Sequence, residues 1–255
     1  MFPSRAFAFA TTLPVTSTFF PMPRIPVVFA FLLAMVSMCS LGHAQTAAPA
    51  AAPAKSAVFV RSVIFQQTKL GGQVHPWNRM QVEIQANSVP EVKAPAGEAK
   101  ASAANKRWVD KVKVTVTQIY KTASPKPEDW NYYRSSATVL TIEVLQPRSV
   151  LFYLPGDIVK RDNLKKEPDY YFVQLEVGGK EEEFFNAAGT LFPDHIRAVH
   201  KDISTKAKFD PAKDAADRGV VNTPGILRAQ YLVLYADSPV MPPSPEFIRE
   251  DVQAR

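Results

Sequence analysis

Hydrophobic and polar residues alternate with a period of two through much of the chain. Met80, Val82, Ile84 and Ala86 alternate with Gln81, Glu83 and Gln85. Val112, Val114 and Val116 alternate with Lys111, Lys113, Thr115 and Thr117. Leu140, Ile142 and Val144 alternate with Thr141 and Glu143. Successive side chains of a strand point to opposite faces, so each run predicts a strand with one apolar and one polar face, as in an antiparallel sheet wetted on one side. Val58–Phe65, Ser149–Leu154 and Leu227–Tyr235 are further candidate strands. The clearest hairpin joins Tyr170–Val177 to Lys180–Phe185 through Gly178-Gly179, two residues that accept the positive φ of a tight turn. One short helix is expected over Asp210–Arg218, with Asp210 as cap, Pro211 at the first position and Gly219 at the end. About eight strands and one short helix predict a mostly β protein, an antiparallel β-sandwich of immunoglobulin-like type; a barrel is the alternative.

The front of the chain has a different character. Arg24 precedes the apolar tract Val27–Met38, and Gly42-His43-Ala44 places small residues three and one before a cut at Gln45. A charge, a short apolar core and a small-x-small site make a secretory signal peptide over 1–44. The tract falls short of the roughly 18–20 apolar residues that span a bilayer, and no transmembrane span is expected in the mature chain. Met22 opens this signal and is the expected start, residues 1–21 being an artefact of the assigned beginning. Cys39, the one cysteine, lies inside the signal, and Met38 before it is too large for a lipoprotein cut. The mature chain then has no disulfide and is stabilised by its core alone. Residues 45–56 (QTAAPAAAPAKS) read as an Ala/Pro-rich linker, and 57–251 as the β-sandwich domain. Val89–Asn105 has the linker's composition and reads as a long exposed loop over 89–105. Ser238–Pro245 reads as an extended arm.

Charge changes the picture little. The net charge of +6 includes Arg5 and Arg24 of the leader, and the remaining basic residues are spread along strands without interleaved aromatics. No nucleic-acid partner is expected. Three histidines remain after the leader: His75, His195 and His200. The spacing of five between the last two aligns them on neither a helix nor a strand, and Asp194, His195 and Asp202 make a poor ligand set, so no metal and no cofactor are expected. No nucleophile elbow or Ser-x-x-Lys constellation is present. Glu181-Glu182-Glu183 after the hairpin reads as a solvated or edge-protecting strand, and Gly178-Gly179-Lys180 as a turn. The expectation is a protein that is not an enzyme. Trp130, Tyr132 and Tyr133, in a loop-like stretch over 127–134, are the candidate ligand or partner contacts, because exposed rings stack on sugars or anchor proteins. Trp77 and Trp108 begin strand patterns and are expected in the core or at its rim.

The segments Val74–Ile84, Trp108–Val114 and Ser149–Asp157 resemble a family of secreted pilus-like proteins of Akkermansia and related Verrucomicrobia, encoded beside type IV pilus-like assembly components. The resemblance spans about 57–251. It implies an immunoglobulin-like sandwich, envelope or pilus-like assembly proteins as partners, and no catalysis. It also implies a location in the periplasm, at the outer membrane or on the cell surface. Unlike a type IV pilin, this chain has no long apolar helix retained after its leader, so an accessory component is expected rather than a polymerising subunit. Three readings stand side by side: an interaction module of a pilus-like assembly, a carbohydrate-binding module using Trp130, Tyr132 and Tyr133, and an envelope hydrolase. Exposed coplanar rings would favour the second, and a pocket with paired acids or a triad the third.

Overall fold

A computed structural model describes residues 56–70, 72–88, 107–233 and 244–248. The chain divides into two units, 1–50 and 51–255, and all described residues belong to the second. The expected signal peptide, the expected linker to Lys55, the expected loop over 89–105 and most of the expected arm over 238–245 lie outside them.

Among the described residues, nine strands build two antiparallel sheets. They are β1 (Val58–Thr68), β2 (Trp77–Ala86), β3 (Trp108–Tyr120), β4 (Asn131–Glu143) and β5 (Arg148–Leu154). After these come β6 (Tyr170–Val177), β7 (Lys180–Glu181), β8 (Arg228–Ala229) and β9 (Phe247–Ile248). Helix α1 (Gly156–Arg161) follows β5, and α2 (Lys206–Gly219) lies between β7 and β8. The first sheet runs β1-β2-β5-β8 and the second β7-β6-β3-β4-β9. The chain thus crosses from the first sheet to the second between β2 and β3, returns between β4 and β5, and crosses again between β5 and β6. That is the strand order of an immunoglobulin-like sandwich, with A, B and E in one sheet and G, F, C and C′ in the other.

The alternation read in the sequence is the alternation of burial. Val58, Val60, Met80, Val82, Ile84, Val150, Phe152 and Leu154 face Val112, Val114, Val116, Val139, Val173 and Leu175 across the sandwich. Lys111, whose φ is 54°, interrupts the alternation of β3 without shifting its register on β4, and Val109 and Val112 are both buried. Trp77 is buried against Leu70, Leu151, Tyr153 and Val233 on the outside of the first sheet, and Trp108 is half-buried.

Two elements differ from expectation. Helix α2 begins at Lys206, not near Asp210, because Thr205 takes the extended cap conformation and one turn later Phe209 buries its ring against Phe172 and Phe184. Pro211 sits inside the helix on its exposed side, where an unpaired carbonyl one turn back meets water. Within the described part of the expected strand Leu227–Tyr235, up to Val233, only β8 is a strand, and the chain turns into a 3-10 helix at Gln230–Leu232. The hairpin forms at Gly178-Gly179, both with positive φ, but its second strand ends at Glu181.

Candidate functional site: one open sheet edge

The three predicted rings part company. Tyr132 and Tyr133 are the second and third residues of β4 and are 2% and 0% exposed. They lie opposite Ile119 and Gln118 in the register, hence on opposite faces of the sheet. Tyr133 points into the sandwich, its ring 5.9 Å from that of Tyr120, and its hydroxyl donates to Asp162 Oδ2 at 2.6 Å. Burial foremost, and then the Asp162 carboxylate, push that hydroxyl well above the usual tyrosine range. Asp162 is held on its other side by Arg161, whose hydrogen bonds draw the carboxylate below its ordinary value. Tyr132 lies on the outer face beneath the end of α2, and its hydroxyl donates to Pro127 O at 2.7 Å. Trp130 is half-buried: its indole N–H donates to Ser124 O at 3.0 Å, and its ring lies 6.2 Å from that of Tyr170, tilted by 54°. Lys121 Nζ sits 5.2 Å and 4.3 Å from the centres of the Trp130 and Tyr170 rings. The expected platform of Trp130, Tyr132 and Tyr133 is therefore not assembled, since two of its rings are packed inside the fold.

The histidines are equally dispersed. His75 Nε2 faces Lys160 Nζ at 3.2 Å, and His200 packs against the rings of Tyr170 and Tyr171. His195 is 1% exposed, wedged edge-on between Phe184 and Phe192. Its Nε2 lies 3.2 Å from Ser56 Oγ, while Asp194 Oδ2 accepts the Ser56 N–H at 3.0 Å. This is not the geometry of a hydrolase triad. The carboxylate is engaged by a backbone amide, and His195 Nδ1 has no hydrogen-bond partner among the described residues, so nothing orients the ring as a base. Ser56 and Ala57 also draw the Glu182 carboxyl down against the larger, opposing effect of its burial. These groups together fasten the point where the chain enters the domain.

Burial holds the His195 imidazole below its ordinary value against the opposing pull of Asp194, and burial does the same to His200. As pH falls below about 6.5, the unfolded chain takes up protons that the folded one refuses, so stability is lost. Glu182, raised foremost by burial, works in the opposite sense at lower pH. Urea midpoints measured between neutral and mildly acidic pH should therefore fall with acid, and His195→Gln should flatten that slope. An unchanged slope would mean that His195 titrates normally.

The edges of the two sheets show the strongest asymmetry. The β5 edge is closed by β8 and by Gln230, whose buried side chain accepts the Leu151 N–H at 2.8 Å. The β4 edge is closed by β9, by Glu246 O accepting the Leu140 N–H at 2.7 Å, and by the Thr223 hydroxyl donating to Tyr132 O. The β6 edge is closed by β7, by Glu182, and by the passing segment at Ala198–His200: Val173 N–H donates to Ala198 O at 2.7 Å, and His200 N–H to Tyr171 O at 2.9 Å. The fourth edge, β1, pairs only with β2 among the described residues. Just before the strand, Asp194 accepts the Ser56 N–H, and from there the far side is open through the strand among the described residues. A groove of about 470 Å³ flanks its beginning, lined by Phe59, Arg61, Glu83, Ile196 and Arg197. Sequence reading did not single out this edge. The signal available was the charge-free run Ser62–Thr68, unusual for a strand at a sheet margin.

No protein-family model matches the chain, and no curated protein matches it either. Among solved structures, that of a protein from Akkermansia muciniphila matches at 12% identity, over 76% of this chain and 93% of that chain, with a TM-score of 0.39. Likeness at that level carries no argument, and the fold described above rests on its own strand order. Among the described residues, no helix is long and apolar enough to cross a membrane.

Proposed function

We propose that this protein is an exported, non-catalytic interaction module, an accessory component of a pilus-like envelope assembly in the periplasm, at the outer membrane or on the cell surface. The observation that carries the interaction role is the open β1 edge. Three edges are closed by the chain's own later segments, at the cost of ordering them, while an eleven-residue strand is left with unpaired main-chain donors and acceptors on one side among the described residues. Such an edge binds an added strand through main-chain hydrogen bonds. The pilus-like setting comes from the sequence resemblance, and the export from the leader. The unoriented His195 and the dispersed histidines favour binding over catalysis, and the burial of Tyr132 and Tyr133 leaves the carbohydrate-binding reading without its platform.

The test is site-specific photo-crosslinking in native envelopes. A photoreactive residue at Ile64, on the open strand, should capture pilus-like assembly proteins; one at Asp214, on the exposed side of α2, should not. Equal capture at both positions, or none at Ile64, would reject the edge as the contact.

A further inference from the structure

Building on that reading of the β1 edge, we propose that its occupant is β1 of a second copy of this chain, paired antiparallel about a two-fold axis near Ile64. The two four-stranded sheets then become one continuous sheet of eight strands. An antiparallel pairing of a strand with itself satisfies donors and acceptors reciprocally, as a two-fold interface requires.

The residues of the strand favour this occupant. Ser62-Val63-Ile64-Phe65-Gln66-Gln67-Thr68 carries no charge, no proline and no glycine. Sheet margins are ordinarily protected by such residues, and a neutral, β-prone run without them is the composition that pairs with its own kind. The charges lie at the two ends, Arg61 and Lys69. In a parallel pairing each would face its own copy. In the antiparallel pairing about Ile64, Arg61 falls opposite the partner's Gln67 and Lys69 opposite the partner's Phe59, so neither charge meets its own copy. Ile64 is 41% exposed on the outer face, where a β-branched side chain gains most from meeting another across a strand pair. Phe65 lies on the inner side, its ring 5.3 Å from that of Tyr171, and walls the junction from within. A strand from an unrelated protein would be selected by pockets for its alternate side chains. Beside this edge the groove reaches only Phe59–Ser62 and leaves Val63–Thr68 unlined.

Sedimentation velocity of the purified exported protein over a wide concentration range tests this. The expected result is a monomer–dimer equilibrium. Ile64→Lys, which sets like charges together at the axis without touching the core, should weaken it at least tenfold. An equimolar mixture of Ile64→Lys and Ile64→Glu should restore a heterodimer that neither variant forms alone. A monomer at every concentration, or a dimer indifferent to Ile64→Lys, overturns the inference. A monomer that still captures assembly proteins through Ile64 in envelopes overturns the inference and leaves the function proposed above standing.

Discussion

Replacing Tyr133 with alanine should destabilise the domain by about 3–5 kcal/mol, the range for deleting a large buried aromatic side chain. The ring is fully buried between the sheets, in edge contact with Tyr120, and deleting it leaves a cavity among residues that cannot all collapse into it. Tyr133→Phe isolates the hydroxyl. It keeps the packing but removes the donor to Asp162, a hydrogen bond to a charged acceptor, for an expected loss of about 1.5–3 kcal/mol. The lower end is favoured because Arg161 still holds both oxygens of that carboxylate, at 2.7 and 2.8 Å. Urea midpoints at constant slope measure both losses. Tyr133→Phe should leave partner capture through Ile64 unchanged, since the ring reaches no surface. Were Tyr133→Ala as stable as the parent, the ring would have to be exposed, and the carbohydrate-binding reading would return.

The same residue shows where sequence reading stops. Tyr132-Tyr133 is a consecutive pair, and in a strand one of two neighbours faces away from the core. The expectation that such rings are accessible fails here because the outer face of the second sheet is covered as well. Helix α2 and the segment before it lay Phe184, Phe185 and Phe209 over Phe172 on that face, and the end of α2 reaches Tyr132. Period-two alternation reports an apolar face and is silent about whether the other face is later roofed. The alternation of β2, β3 and β4 was legible because local pattern and sandwich burial agree. The fate of Leu227–Tyr235 was not, because it turns on one side chain: Gln230 supplies the acceptor a strand would have supplied, so the strand need not continue.

The candidate site lies one step further from the sequence. Any of four edges could have been the open one, and which it is depends on where Ala198–His200, Arg228–Gln230 and Phe247–Ile248 come to rest. Those segments contain no repeated pattern, since each bonds an edge through one or two residues. The expected export signal, by contrast, is read from a local code of charge, length and small residues within the first 44 positions. Which surface the chain presents is thus decided by long-range packing and not by a local pattern.

Gly219 provides the sharpest test of that packing. Its φ of −74° suits any residue, so its backbone does not demand glycine. Space does: a Cβ built there would lie 2.1 Å from Tyr132 Cδ2 and 2.7 Å from Cγ. The ring cannot step aside, because its hydroxyl is tied to Pro127 O and its own carbonyl to the Thr223 hydroxyl. Gly219→Ala should therefore cost about 1–3 kcal/mol or more through overpacking. In a Tyr132→Ala background the obstacle is gone, and the same substitution should become neutral or stabilise by about 0.4–1 kcal/mol, because alanine restricts the unfolded chain. The sign of the Gly219→Ala effect should thus reverse with the residue at 132, giving a coupling of about 2–3 kcal/mol, large for a contact pair. Additive effects would mean that α2 does not end against Tyr132. The outer face of the second sheet would then be open at that point, and the β1 edge would lose its standing as the surface left for a partner.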